Sequence, residues 1–169
     1  RRAMQTLLYR KVWLRFIREL IEEGRILDRL IFSLSEVNTT LVVPWVIEDE
    51  FAHAPQFKNV FIHHYNHTPV PAGLHYYHSS MFDRLKMATR FREAVVRDDK
   101  ERGSIVDLVK LTGMVSHIIT GCSHMHTEVL REDTFREFPD KVVEDDLFGN
   151  SEGAVIERWQ GRKIQTIIK

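Results

Sequence analysis

Residues 5–23 read QTLLYRKVWLRFIRELIEE, and this stretch predicts the element around which the rest of the chain is organised. Apolar side chains recur in it every three or four residues, which is the spacing of an amphipathic helix. Gly24 follows and supplies a stop signal. The polar side begins with cations and ends with acids, an order that opposes the helix dipole. We therefore expect the cations to contact a partner and not to stabilise the helix. They are Arg10, Lys11, Arg15 and Arg18.

The composition predicts a folded chain with one substantial core. Of its 169 residues, 43% are hydrophobic and 10% are aromatic, which argues against disorder over most of its length. Lys plus Arg and Asp plus Glu number 24 each, so no bulk charge indicates a nucleic-acid partner. No apolar run approaches the length of a membrane-spanning helix. We expect a protein that is peripheral to a membrane at most.

A single cysteine, Cys122, excludes an internal disulfide framework and fits a reducing compartment. It lies between Ile119 and Met125 in an apolar stretch. The sequence therefore favours a packing role for this thiol over a role as a nucleophile.

A long irregular insertion is predicted at about 38–78, after a further short helix or helix extension at 26–34. Four prolines and Gly73 punctuate the insertion, and its apolar residues follow no period. Connections of this length usually serve binding or are disordered.

Histidines concentrate in this insertion. They could ligate zinc or iron, and Glu50 with His53 forms an E-x-x-H pair that would share one helix face. No second E-x-x-H pair, H-E-x-x-H string or cysteine pair accompanies it, so we expect no metal site. A metal-dependent helical enzyme stays open as an alternative. The nine histidines are His53, His63, His64, His67, His75, His78, His117, His124 and His126.

The helical period returns after Ser80 and predicts two more helices. A basic amphipathic helix runs from about Ser80 to Arg97, and Ser104 to Asp107 reads as a capping box that opens a third helix ending near Cys122. Gly113 and Gly121 interrupt that helix, so one or both are expected to admit a close neighbour.

A family resemblance rests on two blocks of residues. The first is Leu8-Tyr9-Arg10 near the start of a first helix. The second is RLKMATRFREAVVRDDKERGSIVDLVKLTG at 84–113, with its basic helix, Phe91-Arg92, polar break, capped helix and glycine. Together they resemble the mitochondrial LYR-motif family, in its complex I LYR-like group. The resemblance covers less than half of the chain.

The resemblance implies an all-α fold, a three-helix bundle that binds the mitochondrial acyl carrier protein. The acidic carrier would meet a basic face, and such charge complementarity sets orientation and association rate. The implied carrier-binding residues are Tyr9, Arg10, Lys11, Arg15, Arg18, Lys86, Arg90 and Arg92. No cofactor would be bound directly, because the acyl-4'-phosphopantetheine belongs to the carrier. The acyl chain would lie between the helices along Leu8, Val12, Phe16, Leu85, Ala88, Phe91, Leu108, Val109, Thr112 and Gly113.

The tail after the third helix mixes aromatic residues with acids and shows no clear period. Residues 1–130 are therefore expected to form one helical domain with the insertion, and 131–169 a C-terminal extension that docks on partner subunits. Residues 159–169 could form a strand or hairpin arm.

The function expected from the sequence is that of a non-catalytic accessory subunit of a large mitochondrial complex, on the matrix side of the inner membrane. Among such complexes, family precedent favours respiratory complex I as the one that contains this subunit. An assembly factor, or a subunit of ATP synthase or the mitoribosome, is the alternative within the family. No nucleophile triad, phosphate loop or dinucleotide fingerprint suggests catalysis.

Overall fold

The computed structural model describes residues 2–25, 30–42, 60–68, 76–85 and 89–144. Within them, helices and strands are mixed along the chain. Helix α1 spans Arg2–Glu22, β1 Leu30–Ser35, a 3-10 helix Val37–Val42, β2 Val60–Asn66 and β3 Tyr77–His78. Then come α2 (Ser80–Leu85), α3 (Thr89–Val95), β4 (Val96–Asp99), β5 (Gly103–Val106), α4 (Leu108–Val115), β6 (Ile118–Gly121) and α5 (His124–Val129). A π-helical turn, Leu130–Thr134, and a 3-10 turn, Pro139–Lys141, follow.

Three parallel strands form the centre of the fold in the order β1, β2, β6. Val142 adds a parallel bridge to Ile119 and so continues the order beyond β6. One face of the sheet is buried, and its side chains lie in register, Phe32 beside Ile62 and His64 beside Ile119.

The opposite face of the parallel sheet is more open. Ile31 is 71% exposed and Phe61 38%. A polar row crosses this face, since the two ring nitrogens of His63 lie 3.3 Å from Ser33 Oγ and 2.8 Å from Thr120 Oγ1. A second, antiparallel sheet has the order β3, β5, β4.

The helix predicted at 5–23 is confirmed as part of α1, although Leu8, Val12 and Phe16 of its predicted apolar side are more than half exposed. Leu14 and Ile17 are buried, and the Trp13 ring lies 4.5 Å from the Phe32 ring of β1. Gly24 has a φ of 68°, which glycine adopts without strain, and the amide of Arg25 donates to the Leu20 carbonyl at 2.9 Å. The stop signal read from Gly24 is therefore correct. No described helix is long and apolar enough to cross a membrane.

The prediction of an all-α bundle is wrong, because the chain forms a mixed α/β fold. Residues 30–34 were expected to be helical, but their side chains alternate buried and exposed along β1, so the short apolar run has period two. The insertion at about 38–78 was expected to be irregular, yet it contains the central strand β2. Its histidines and tyrosine concealed the strand pattern. Residues 43–59 and 69–75 of that insertion lie outside the described residues.

The second and third predicted helices are also shorter than expected. The described residues of 80–97 lie in α2, α3 and the start of β4, while those of 105–121 belong mainly to β5, α4 and β6. The capping residue of α4 is Asp107, whose carboxylate accepts from the Lys110 amide at 2.9 Å, so the cap lies three residues later than the Ser104 box predicted. At the other end of α4, Lys141 Nζ donates to the Gly113 carbonyl at 2.6 Å.

Residues on both sides of the predicted boundary at 130 pack in one core. Leu130, Phe135 and Val142 are all buried there with Leu111 of α4. The docking role predicted for residues 131–169 stays a prediction, and the predicted arm at 159–169 lies outside the described residues.

Candidate functional site

The carboxyl ends of the parallel strands bring polar residues to one edge of the sheet. Strand β1 ends at Ser35, β2 at Asn66 and β6 at Gly121. Ligands of open α/β sheets bind outside such ends, because the loops that follow the strands meet there. The residues that follow these strands are Glu36, His67, Thr68, Cys122 and Ser123. We call this set, with Asn66 and His126, the carboxyl-edge cluster.

Glu36 joins the ends of β1 and β2. Its oxygen Oε1 accepts from the His67 amide at 3.0 Å and from the Thr68 hydroxyl at 3.3 Å. Its backbone φ is 66°, in the left-handed region that costs a non-glycine residue energy. This left-handed conformation turns the chain at the end of β1, and the turn places the Glu36 carboxylate at the edge of the sheet.

Asn66 is the last residue of β2 and is fully buried. Its Oδ1 accepts from the Thr68 amide at 2.8 Å and lies 3.4 Å from His126 Nε2. Its Nδ2 has no hydrogen-bond partner among the described residues. A buried amide nitrogen without a partner costs roughly 1–3 kcal/mol, so this donor is suited to a ligand or a water molecule.

Cys122 and His126 form a thiol and imidazole pair between β6 and α5. The Sγ and Nδ1 atoms are 2.7 Å apart. Ser123 caps α5 and accepts from the His126 amide at 3.3 Å, which fixes the imidazole over the strand end. Burial lowers the pKa of His126, the neighbouring His67 lowers it further, and Glu36 acts in the opposite direction.

Gly121 lets α5 approach the sheet closely. A Cβ at this position would lie 2.9 Å from the Thr127 backbone nitrogen and 2.8 Å from its hydroxyl oxygen. Gly113 is also crowded, by the Phe138 ring. The expectation that these glycines admit close neighbours is therefore confirmed, although Gly121 lies in a strand and not in a helix.

Gly121→Ala is expected to destabilise the protein by about 1–3 kcal/mol, because the added methyl group meets backbone as well as side-chain atoms. Urea unfolding followed by circular dichroism measures this loss. Adding Thr127→Ala should not restore the stability, since the Thr127 amide remains in place. Full recovery of stability in the double variant would show that the added methyl group clashes only with the Thr127 side chain.

The histidines that the structure describes do not gather into a metal site. Among the described residues, no group of three or more His, Cys, Asp or Glu side chains could hold an ion. His63 bonds to side chains across the open face, while His64 is buried on the other face. Glu50, His53 and His75 lie outside the described residues.

The residues predicted to bind a carrier lie mainly on exposed parts of α1. Lys11, Arg15 and Arg18 are exposed, and Arg15 Nε contacts Glu19 at 3.0 Å. Arg92 of α3 pairs with Asp83. The structure places Tyr9 and Arg10 in α1 and Arg90 in α3 but does not describe their side chains, and Lys86 lies outside the described residues.

The residues predicted to hold an acyl chain are not brought together. Leu8, Val12 and Phe16 are more than half exposed on α1, whereas Phe91 and Leu108 are buried in the core. Thr112 is buried and bonds to Thr40 at 2.9 Å, Val109 is half-buried, and Gly113 is closed by Phe138. The side chain of Leu85 is not described, and Ala88 lies outside the described residues. The roles themselves stay untested predictions.

A groove of about 330 Å³ lies between the start of α4 and residues 133–138. Two of its charged residues already pair with each other, since Arg97 Nε lies 3.1 Å from an Asp107 carboxylate oxygen. Acids and bases alternate along it, so it has no single charge character to select a ligand.

The described elements form an α/β fold with a three-stranded parallel sheet, and polar residues follow the carboxyl ends of its strands. The structure is similar to the catalytic domain of starch synthase IV from Arabidopsis thaliana bound to ADP and acarbose, with a TM-score of 0.51 and 17% sequence identity. The match covers 74% of this chain and 26% of the starch synthase chain, so this chain spans about a quarter of that length. No family model and no curated protein matches the sequence.

This likeness corrects the family assignment. A fold shared with a glycosyltransferase catalytic domain contradicts the LYR-motif family, the mitochondrial helical bundle and the complex I accessory subunit. The prediction of a non-catalytic protein rested on that family assignment and falls with it. The carrier, its acyl-phosphopantetheine and the matrix location stay predictions that no observation tests.

Sequence reasoning missed Glu36, Asn66 and the pairing of Cys122 with His126. A usable signal was present, because LIFSLS at 30–35 alternates and is followed at once by an acid. The stretch VFIHHYN likewise ends in Asn before polar residues and a proline. A polar residue directly after a strand is the pattern expected at a carboxyl-end site.

Proposed function

We propose that this chain is part of a glycosyltransferase and that its carboxyl-edge cluster binds a saccharide. The observation that carries the proposal is the convergence of Glu36, Asn66 and Thr68 at the ends of β1 and β2. The unpartnered Asn66 Nδ2 supplies a donor and the Glu36 carboxylate an acceptor. The likeness to a catalytic domain that was bound to a saccharide analogue supports the same class of ligand.

The charge of the cluster favours a neutral saccharide over a nucleotide diphosphate. Diphosphates are usually held by arginine, lysine or the start of a long helix. Among the described residues of the cluster there is no Lys or Arg, and α5 has only six residues. The negative charge of Glu36 would repel a phosphate, whereas its Oε2 can accept a hydrogen bond from a sugar hydroxyl group. Sugar binding therefore suits this edge, and a nucleotide would need residues from elsewhere.

Maltotetraose is expected to bind the chain with a dissociation constant of about 1 mM, typical of a few neutral hydrogen bonds. Glu36→Gln should weaken binding about tenfold, because it replaces a charged acceptor with a neutral one. The glutamine oxygen can still accept from the His67 amide, so the fold should be kept. Isothermal titration calorimetry measures the binding, and circular dichroism checks the fold.

Glu101→Gln is the matched control, since it removes an exposed carboxylate in the turn between β4 and β5. It should leave maltotetraose binding unchanged. ADP is expected to bind the wild-type chain at least about tenfold more weakly than maltotetraose. Saccharide binding that Glu36→Gln does not alter, or ADP binding to the wild-type chain as tight as maltotetraose binding, would contradict the proposal.

A further inference from the structure

We propose that Cys122 is a reactive thiol, activated by His126 and held in position by Asn66, and that it is a site of covalent modification by small uncharged electrophiles. This inference does not depend on saccharide binding. It rests on the chain of contacts from Cys122 Sγ to His126 Nδ1 and from His126 Nε2 to Asn66 Oδ1.

The contacts fix the tautomer of the imidazole. The Thr68 amide can only donate, so the Asn66 atom that faces it at 2.8 Å must be the oxygen Oδ1. His126 Nε2 faces the same oxygen and must therefore carry the ring proton. That leaves Nδ1 without a proton, and Nδ1 is the nitrogen that lies 2.7 Å from Cys122 Sγ. The imidazole is thus arranged to accept the thiol proton.

The surroundings keep the imidazole neutral until the thiol reacts. His126 is 8% exposed, and burial holds its pKa below the ordinary 6.5. The charged groups that face it are Glu36 after β1 and His67 after β2, which act in opposite directions. On α5 itself, His124 and Glu128 lie on the exposed side. A neutral base next to the thiol is therefore present at neutral pH.

Cys122 is partly exposed, and as the single cysteine of this sequence it forms no disulfide within the chain. The buried and unpartnered Asn66 Nδ2 lies in the same cluster and provides a donor for an incoming polar group. The Glu36 carboxylate disfavours anionic reagents at this edge. Small uncharged electrophiles are therefore the favoured class.

The reaction with iodoacetamide illustrates the step. The thiol proton passes from Sγ to His126 Nδ1, and the sulfur electron pair forms a bond to the methylene carbon. The carbon–iodine bond breaks, and iodide leaves with its electron pair. The imidazolium then loses the proton to water, so His126 returns to its neutral form.

The test is the pH profile of alkylation of the full chain by iodoacetamide, followed by intact mass. With a single cysteine, the adduct that is present in the wild type and absent from Cys122→Ser reports Cys122. In the folded protein the rate is expected to rise through a midpoint below pH 6.5, because protonated His126 cannot accept the thiol proton. In His126→Gln, and in the wild-type chain unfolded by urea, the midpoint should move to about pH 8.5, the ordinary pKa of a thiol.

The comparison decides the proposal in either direction. A wild-type midpoint at least about one pH unit below that of the urea-unfolded chain supports it, since the shift then requires the folded pair. A smaller difference would overturn it, as would a folded chain that forms no adduct while the unfolded chain reacts. If His126→Gln fails to fold, the wild-type profiles in buffer and in urea still give the answer. Cys122→Ser should form no adduct and serves as the control.

Discussion

His64→Leu is expected to stabilise the protein by about 1–3 kcal/mol at pH 7 and to reduce its loss of stability in acid. The side chain of His64 is fully buried on β2, and both of its ring nitrogens lack hydrogen-bond partners among the described residues. Unsatisfied buried polar atoms cost about this much, and an apolar side chain of similar size removes the cost. Leucine would pack among Leu34, Ile119 and Phe135.

The pH dependence follows from the proton affinity of His64. Burial, aided by the nearby His63, lowers the pKa of His64 from 6.5 to about 3. Between about pH 3 and pH 6.5, His64 therefore binds a proton in the unfolded chain but not in the folded chain. His64 leaves the free energy of unfolding unchanged above pH 6.5. Below pH 6.5 it lowers that free energy by about 1.4 kcal/mol per pH unit, up to about 5 kcal/mol.

Urea unfolding of the wild type and of His64→Leu between pH 7 and pH 4 measures both effects. The two stabilities should diverge as the pH falls, because other acid-sensitive groups are common to both proteins. His78→Gln, at an exposed position, is the control for removing a histidine from the chain. Parallel curves for the wild type and His64→Leu would show that the folded protein protonates His64 without difficulty.

Phe135→Ala is expected to lower the free energy of unfolding by about 3–5 kcal/mol. The Phe135 side chain is 1% exposed, and its ring meets the His64 ring edge-on at 6.3 Å. Removing it leaves a cavity between the sheet and the turn that follows Leu130. Chemical denaturation should show a lower midpoint with an unchanged slope, the sign of a loss of stability in a single cooperative core.

The result bears on the predicted extension that starts at residue 131. Phe135→Leu should cost no more than about 1–2 kcal/mol, since most of the volume is kept. Val129→Ala, at a partly exposed position on α5, should change stability by less than about 0.5 kcal/mol. A loss below about 1 kcal/mol for Phe135→Ala would indicate that residues after 130 pack on the core without supporting it.

Local patterns identified some elements correctly and misjudged others. The long periodic stretch at 5–23 contains several helical turns, so its period could be read without ambiguity. The strands of the parallel sheet are only four to seven residues long, and over that length an apolar run fits helix or strand equally well. Strand β2 also carries His63, His64 and Tyr65, and these residues count as polar although His64 is completely buried. The central strand was therefore interpreted as part of a loop.

The candidate site was harder to predict than the helices, because it joins residues far apart in the sequence. Glu36, Asn66 and His126 come from three separate segments and meet only through the parallel pairing of β1, β2 and β6. Cys122 and His126 are four residues apart, yet nothing local indicates that Asn66 sets the tautomer of the imidazole. The resemblance to LYR-motif proteins relied on short local blocks, which are compatible with more than one fold.

The sequence by itself determined that the chain folds, where its first helix runs and ends, and that Gly113 and Gly121 have close neighbours. The first two properties depend on composition and on interactions between residues close in the chain, whereas the glycines were recognised by their cost in a helix and Gly113 meets the distant Phe138. Only the tertiary structure decided that the short apolar runs become strands, that His64 is buried without partners, and that a carboxylate, an amide and a thiol and imidazole pair share one sheet edge. The reason is physical, since strand pairing and burial free energies arise between distant segments and can override the weak preferences of each short segment.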